Sequence, residues 1–551
     1  MEKGSYQNAR QVDAIWSFLR YEPDINISNR ISQAMKQLHF LQKRESEMLN
    51  LLIEFSSGLN VNEKEKFLKH LKHISKNYGI RNEPKTEYEI LRRRIYSNIL
   101  EFFYFINSQV QSELKQSTSE KSFSNFLNLI SEFKRSLMKD VLTLADVDGY
   151  AEWRHKENDE LTNLVQQRLF YLQNPKNCKT AKKLLCDLNK GCGYGCQLHH
   201  AVYCLIVAYG TQRTLILKSR GWRYSRPGWE SVFLPVSNSC TTPDGISQSA
   251  WPGNDNVQVV SLPIIDSLSP RPPYLPLNIP EDLAPKIRRI HGDPIVWWVG
   301  QFLKYLLRPQ PNTIKMLEQY KQKLGFKKPI VGVHIRRTDK VGTEAAFHRL
   351  DEYMLHVEEY YKSLELTQTV TQKRVYIATD EPKIFNEARI KYPDYEVFGD
   401  VSIAKSAAVN KRYTDNSLSG IVTDIHLLSL SDYLVCTFSS QVCRVAYEIM
   451  NSLEIDAAHK FRSLDDIYYY GGQKARYQEA VLPHIPLKPS EIELQVGDQI
   501  SVAGNHWDGY SKGMNLRTHQ LGLYPTFKVI PKIETAPFPT YPQVPLESTE
   551  L

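Results

Sequence analysis

The spacing of apolar residues divides the chain into stretches of different period. From residue 1 to about 150 the period is helical. Ile31, Met35, Leu38, Leu49 and Leu52 approximate an a/d seam between Lys, Arg and Glu residues. Leu91, Ile95, Phe102, Ile106 and Val110 form a second run, and Phe123, Phe126, Ile130, Phe133, Leu137 and Val141 a third. Helices with one apolar stripe each, joined by polar linkers, predict a coiled-coil stem over 1–150 that pairs with a second copy. Packing of the stripe on its own chain is the alternative.

From 151 to 324 helix and strand mix. A helix is predicted from Glu160 to just before Asn174-Pro175, and another from His199 to Ala208. Thr214–Leu217 and Val257–Leu262 read as strands. Asp293–Leu307 is the most apolar segment, but Gln301 and Lys304 interrupt it, so it reads as a partly buried helix and not as a membrane span. Between 325 and 489, strands at Ile330–Val333, Val375–Thr379 and Tyr433–Thr437 alternate with helices at Leu350–Leu364, Pro382–Lys391, Asn416–Leu430 and Gln441–Asn451. That alternation predicts a Rossmann-like parallel sheet. From 490 to 532 short β segments separated by turns resemble an SH3-like barrel, without the tyrosine-rich motif that binds PxxP ligands. The Pro-rich stretch 533–551 predicts a flexible tail.

Composition adds limits. At 551 residues the chain exceeds one ordinary domain. Net charge is +8 from 69 basic and 61 acidic residues, without a long basic run, which fits an anionic small molecule and argues against nucleic acid. Neither a signal peptide nor 18 uninterrupted apolar residues is visible. Cys178, Cys186, Cys192, Cys196, Cys204 and Cys240 cluster, and Cys436 and Cys443 follow later. Their even number suits disulfides in a secretory compartment. A zinc site on Cys192, Cys196, His199 and His200 is the rival, weakened by the lack of Cys-x2-Cys pairs. One glycosylation sequon occurs, Asn26-Ile27-Ser28.

The densest chemistry lies at 331–344. An apolar run ends in His334, Arg336, Arg337, Asp339, Lys340 and Glu344. A buried strand of an open α/β sheet delivers its last residues to the ligand-binding edge. Adjacent arginines suit a phosphate, and a nearby glutamate suits a general base. A solvated loop of ion pairs is the plain alternative. Ser439-Ser440-Gln441 follows a strand and opens a helix, where backbone N–H groups favour an anion; Ser439 would equally cap that helix. Asp146-Val147-Asp148 is the one Asp-x-Asp pattern worth weighing for a metal, and its place at the end of the stem reads as a turn. The Gly191–Cys196 turn lacks the lysine of a phosphate loop, and no G-x-G-x-x-G signature points to a nicotinamide cofactor.

His-Ile-Arg-Arg-Thr-Asp-Lys-Val-Gly-Thr-Glu-Ala-Ala-Phe-His, residues 334–348, resembles the donor-site signature of the alpha-1,6-fucosyltransferases, which add core fucose to N-glycans. Similar segments run from about Glu89 to about Pro542. The resemblance implies a GT-B-like catalytic region, GDP-fucose as donor, inversion at the sugar, and no divalent metal. It makes Arg336 the stabiliser of the departing diphosphate, with Arg337 and Asp339 beside it. Glu344 becomes the base on the acceptor 6-hydroxyl, and Lys340 its orienting partner. His334, Tyr224, Asp380, Asp424, Ser439, Ser440 and Gln441 become donor contacts, with Asp424 on guanine. Where the family tends to carry two aspartates, this chain has Asp380 and Glu381. Lys190, Asp266, Asp465, Asp466 and His506 become acceptor contacts. The implied disulfides are Cys178–Cys240, Cys186–Cys204, Cys192–Cys196 and Cys436–Cys443. The resemblance further implies a Golgi protein with an N-terminal anchor, dimeric through its stem. No anchor is visible here, which leaves a shortened form or an anchorless isoform open. A fucosyltransferase with another acceptor, or an inactive coiled-coil and SH3-like scaffold with a protein partner, are the competing readings.

Overall fold

The computed structural model describes residues 83–114, 120–338, 341–342, 345–473 and 476–544. The seam at Ile31–Leu52 therefore lies outside the described residues, as do Asp339, Lys340 and Glu344.

The chain enters through helices α1 (Thr86–Leu114), α2 (Glu120–Val147) and α3 (Ala151–Gln173). Arg154 at the start of α3 bonds Glu89, near the start of α1, and Asp148, just past the end of α2. Those ends therefore meet, and α1 and α2 run antiparallel. Asp148 also accepts from Tyr150 N at 2.9 Å, so the Asp-x-Asp pattern is a turn held by an arginine. Helix α3 begins earlier than the apolar spacing suggested, because Arg154 is buried in this ion-pair hub.

The first α/β half follows: β1 (Lys183–Asp187), α4 (Tyr194–Gly210), β2 (Thr214–Lys218), β3 (Gln248–Ala250) and β4 (Val259–Leu262). The strands form a parallel sheet in the order β2-β1-β4-β3. After the short strand β5 (Asn278–Pro280) come α5 (Ala284–Ile290), α6 (Pro294–Leu306) and α7 (Pro311–Leu324). Proline opens both longer helices, where its missing N–H costs nothing. Helix α6 is more deeply buried than the sequence suggested: Gln301 is fully enclosed, its carbonyl and side-chain oxygens accepting from Gln166, and Lys304 alone of the pair is exposed.

The second half contains β6 (Val331–Ile335), α8 (Leu350–Glu365), β7 (Lys373–Thr379), α9 (Lys383–Lys391), β8 (Tyr395–Phe398), α10 (Val401–Ser406), α11 (Asp415–Leu430), β9 (Tyr433–Cys436), α12 (Gln441–Leu453) and β10 (Phe461–Ser463). Its strands are parallel, in the order β10-β9-β6-β7-β8. Strand order reverses between β6 and β9, and ligands of open α/β sheets bind at such a switch point. Strand pleating puts Val331, Val333 and Ile335 into a core under α8 and α9. His334 then falls on the opposite face. The larger core is continuous through both halves, joining Leu184, Val202 and Trp298 to Leu434 and Tyr447.

A five-stranded antiparallel sheet follows, with β11 (Tyr477–Ala480), β12 (Gln499–Asn505), β13 (Tyr510–Asn515), β14 (Leu521–Pro525) and β15 (Val529–Pro531). Its first strand lies upstream of residue 490. The tail corrects the expectation of flexibility at 533–551 as far as residue 544. Strand β16 (Glu534–Ala536) pairs in parallel with β5. Phe538 and Tyr541 are buried against Tyr209, and the Tyr541 hydroxyl donates to Tyr209 O at 2.6 Å. Prolines do not prevent docking when aromatic rings between them reach a core.

All eight cysteines are paired, as Cys178–Cys240, Cys186–Cys204, Cys192–Cys196 and Cys436–Cys443. Cys192 and Cys196 therefore offer no thiolate, which removes the zinc reading. Among the described residues no helix is long and apolar enough to cross a membrane.

Candidate active site at two carboxyl edges

Residues at the carboxyl end of β6 are ordered by the end of β7. The Asp380 carboxylate accepts from Arg337 N at 3.0 Å, Thr338 N at 3.0 Å and Thr338 Oγ1 at 2.5 Å. Arg336 Nη1 lies 2.9 Å from the same carboxylate. Burial alone would raise the Asp380 pKa, but Arg336 and the bonds from residues 337 and 338 hold it below the usual carboxylate range. Asp380, expected among the donor contacts, also shapes the turn that presents Arg336.

Arg337 turns away. It bonds Glu381 at 3.0 Å and His348 O at 2.7 and 3.1 Å, and stacks on Phe347. Glu381, the departure from the family's paired aspartates, is thus a partner of Arg337. His334 is buried, its Nδ1 without a partner. Burial, then the charge of Arg336, lowers its pKa to about 4, so the ring is neutral.

On the other side of the switch point, β9 leads through Ser439 and Ser440 into α12. Ser440, not Ser439, is the N-cap, and no side chain caps the helix. An uncapped helix N-terminus beside an arginine suits a diphosphate. Ser439 N reaches Asp465 Oδ1 at 3.4 Å, and Gln441 Oε1 is buried without a partner.

Asp424 lies on α11 beneath β7. The Tyr376 hydroxyl donates to its Oδ1 at 2.6 Å. Burial raises the Asp424 pKa to about 7, against the lowering effect of that bond. Tyr376 was not found from sequence, because the pair spans 48 positions with no local pattern.

The first half brings its own carboxyl edge. Tyr224, beyond β2, packs on Tyr194 and Trp222, and on Tyr413 from the second half at 5.2 Å. Burial pushes its phenol up to about 12, with Arg336 among the charges opposing the shift. Lys190, beyond β1, pairs at 2.9 Å with Asp266, beyond β4. The two edges touch where α4 and α12 begin: a Cβ on Gly195 would lie 2.9 Å from the Gln441 carbonyl carbon. Asp465 accepts from Asp466 N at 2.6 Å, and burial together with Asp465 raises the Asp466 pKa. His506 is exposed, and its neighbour Trp507 donates Nε1–H to Asp465 O at 3.0 Å. The β module thus reaches the parallel-sheet half beside the predicted acceptor carboxylates. Trp507 itself was missed, since a lone tryptophan usually reads as core.

The alpha-(1,6)-fucosyltransferase N- and catalytic domain family matches residues 12–469. The chain belongs to the alpha-(1,6)-fucosyltransferase family. It is 58% identical over 466 residues to an alpha-(1,6)-fucosyltransferase of Drosophila melanogaster, covering 83% of this chain and 75% of the relative. A Caenorhabditis elegans alpha-(1,6)-fucosyltransferase is 42% identical over 452 residues, covering 81% and 79%. Among solved structures, the fucosyltransferase NodZ from Bradyrhizobium aligns with TM-score 0.31 and 11% identity, over 49% of this chain and 93% of that one. By family, then, this protein is a glycosyltransferase of the fucosyltransferase class.

Proposed function

We propose that the chain transfers fucose, with inversion, from GDP-fucose to the 6-hydroxyl of the innermost N-acetylglucosamine of N-glycans. The observation that carries this is the placing of Arg336 and the uncapped α12 N-terminus on either side of the sheet switch point.

As the glycosidic bond breaks, charge grows on the β-phosphate. Arg336, fixed by Asp380, and the α12 N-terminus, with Ser439, Ser440 and Gln441 leading into it, stabilise that charge. Asp424 accepts from guanine N1–H and the 2-amino group, Tyr224 packs on the base, and neutral His334 meets the nucleotide. Glu344 takes the acceptor proton, oriented by Lys340, with Asp339 completing the loop. Lys190, Asp266, Asp465, Asp466 and His506 bind acceptor hydroxyls. Charge stabilisation by arginine and helix amides takes the place of a metal. This fits the use of Asp148 by Arg154, which leaves the Asp-x-Asp motif as a structural turn.

The reading extends to a Golgi enzyme with an SH3-like module, dimeric through its helical stem. Phe102, Phe126, Phe133 and Leu137 on α1 and α2 are exposed, an apolar face that a second copy would cover.

The test is fucose transfer to an asparagine-linked glycan in EDTA, comparing wild type with Glu344→Gln. Transfer to the 6-position, reduced roughly 10²–10⁴-fold in the variant while GDP binding survives, supports the mechanism. A GDP-binding wild type that transfers nothing to this glycan points to another acceptor. Loss of both points to a scaffold.

A further inference from the structure

Arg462, at the centre of β10, is a meeting point of the helical hairpin, the second α/β half and the β module. Its guanidinium carbon lies 4.8 Å from the ring centre of Tyr104 on α1 and 4.4 Å from that of Trp507. The Tyr104 hydroxyl accepts from Arg462, and the Tyr104 and Trp507 rings meet edge to face at 6.0 Å. Trp507 adopts φ +56°, a left-handed conformation that a tryptophan rarely takes. Its own N–H donates to Asn505 Oδ1 at 2.8 Å, and Asn505 Nδ2 donates to Glu101 Oε1 of α1 at 2.9 Å. Its indole N–H then reaches Asp465 O at 3.0 Å.

Each contact constrains one small loop, and that loop carries exposed His506 one residue before Trp507. The turn it grips carries Asp465 and Asp466. Asp465 Oδ1 is already used by Ser463, Asp466 N and, at longer range, Ser439 N, whereas Oδ2 is buried without a partner. A buried, unpartnered carboxylate oxygen suits a ligand hydroxyl, since leaving it unsatisfied is costly. Trp507 lies in the loop that joins β12 to β13, closed by His506 N donating to Tyr510 O at 2.9 Å, and outside the sheet's own core, which includes Ile492, Leu494, Ile500 and Tyr524.

We propose that Trp507, gripped by Arg462 and Tyr104, is a positioning residue that locks the His506 loop onto the Asp465–Asp466 turn and so completes the sugar-acceptor side of the site. This rests on the function proposed above. The ligand chemistry is a pyranose presenting adjacent hydroxyls. The phosphate side, built from Arg336 and the α12 N-terminus, adjoins this turn through the 3.4 Å contact of Ser439 N with Asp465 Oδ1, whereas Trp507 bonds the Asp465 backbone oxygen.

Trp507→Phe in the full chain keeps a ring over Arg462 and removes the N–H to Asp465. The expected result is an acceptor KM about tenfold higher, the loss from removing one hydrogen bond that fixes a loop. The GDP-fucose KM stays within about twofold and the melting temperature stays near wild type. Calorimetric titration of the acceptor glycopeptide in the presence of GDP weakens by the same factor. Arg462→Lys, which keeps charge but not the planar stack, reproduces the split. An unchanged acceptor KM and affinity in Trp507→Phe overturns the proposal, as does a parallel rise in both KM values with a fallen melting temperature. Failure of the underlying functional reading shows separately, in a wild type that neither binds nor fucosylates the glycopeptide, and it removes this inference too.

Discussion

Arg336 and Asp380 form an ion pair at 2.9 Å across the ends of adjacent strands, with the aspartate side chain almost wholly buried. Asp380→Asn keeps the shape and removes the charge. The arginine then loses its fixed orientation, and we expect kcat/KM for GDP-fucose to fall roughly 10²-fold, as when one preorganised transition-state contact is lost. Because the folded-state pKa of Asp380 is depressed, its stabilisation is present above the ordinary value of 3.8 and disappears as pH falls below it. Chemical denaturation of wild type and variant at pH 7 and pH 3 checks this: the stability gap narrows at the lower pH.

Asp424 behaves in the opposite sense. Its pKa is raised to about 7, so its contribution to stability is fully present below 3.8 and is lost as pH rises through 7. A guanine that bonds the ionised carboxylate must displace its proton. GDP binding at pH 6 should therefore release a proton, and affinity should rise from pH 5.5 to 8. Calorimetry in buffers of different ionisation enthalpy measures the release, and Asp424→Asn should lower both the release and the pH dependence to the part owed to the terminal phosphate of GDP, which itself titrates at about 6.

Gly195 sits against the Gln441 backbone, with 2.9 Å for a Cβ to the carbonyl carbon. Neither partner is a flexible side-chain end, so Gly195→Ala forces the starts of α4 and α12 apart. The expected cost is roughly 1–3 kcal/mol, as for overpacking elsewhere, together with a raised GDP-fucose KM. Urea titration and initial rates read the two effects.

Phe538 is 5% exposed and packs on Tyr209, Tyr274 and Trp298. Phe538→Ala should destabilise the protein by about 3–5 kcal/mol, visible as a lower urea midpoint, with KM values unchanged at temperatures where the protein stays folded.

Strands β6, β7 and β9 of the second α/β half were legible from their apolar runs, whereas β8, Tyr-Glu-Val-Phe, and β10, Phe-Arg-Ser, were not, being short and interrupted by charge. The helix predicted over Leu350–Leu364 is observed at Leu350–Glu365. Strand β1 was not legible: its sequence, Lys-Leu-Leu-Cys-Asp, is short and holds a cysteine counted only as a disulfide partner. Strand β11, Tyr-Gln-Glu-Ala, is too polar to alternate. Among site residues, Arg336 announced itself by charge at a strand end. The scaffolding roles of Arg337 and Asp380 did not, because which carboxylate an arginine meets depends on the register of β6 against β7. The Tyr376–Asp424 and Trp507–Asp465 contacts join distant segments and leave no spacing to read.

The pairing of β16 with β5 returns the chain to its starting half after it has built the second half and the β module. Both ends of that long excursion are moored to the same body. A hinge with one strap opens like a clamshell; with two moorings, rotation of one half strains the other attachment. Opening of the two carboxyl edges is therefore restrained at both ends of the excursion. A single cut in an exposed connection of the excursion would leave the two fragments held together and the edges still aligned.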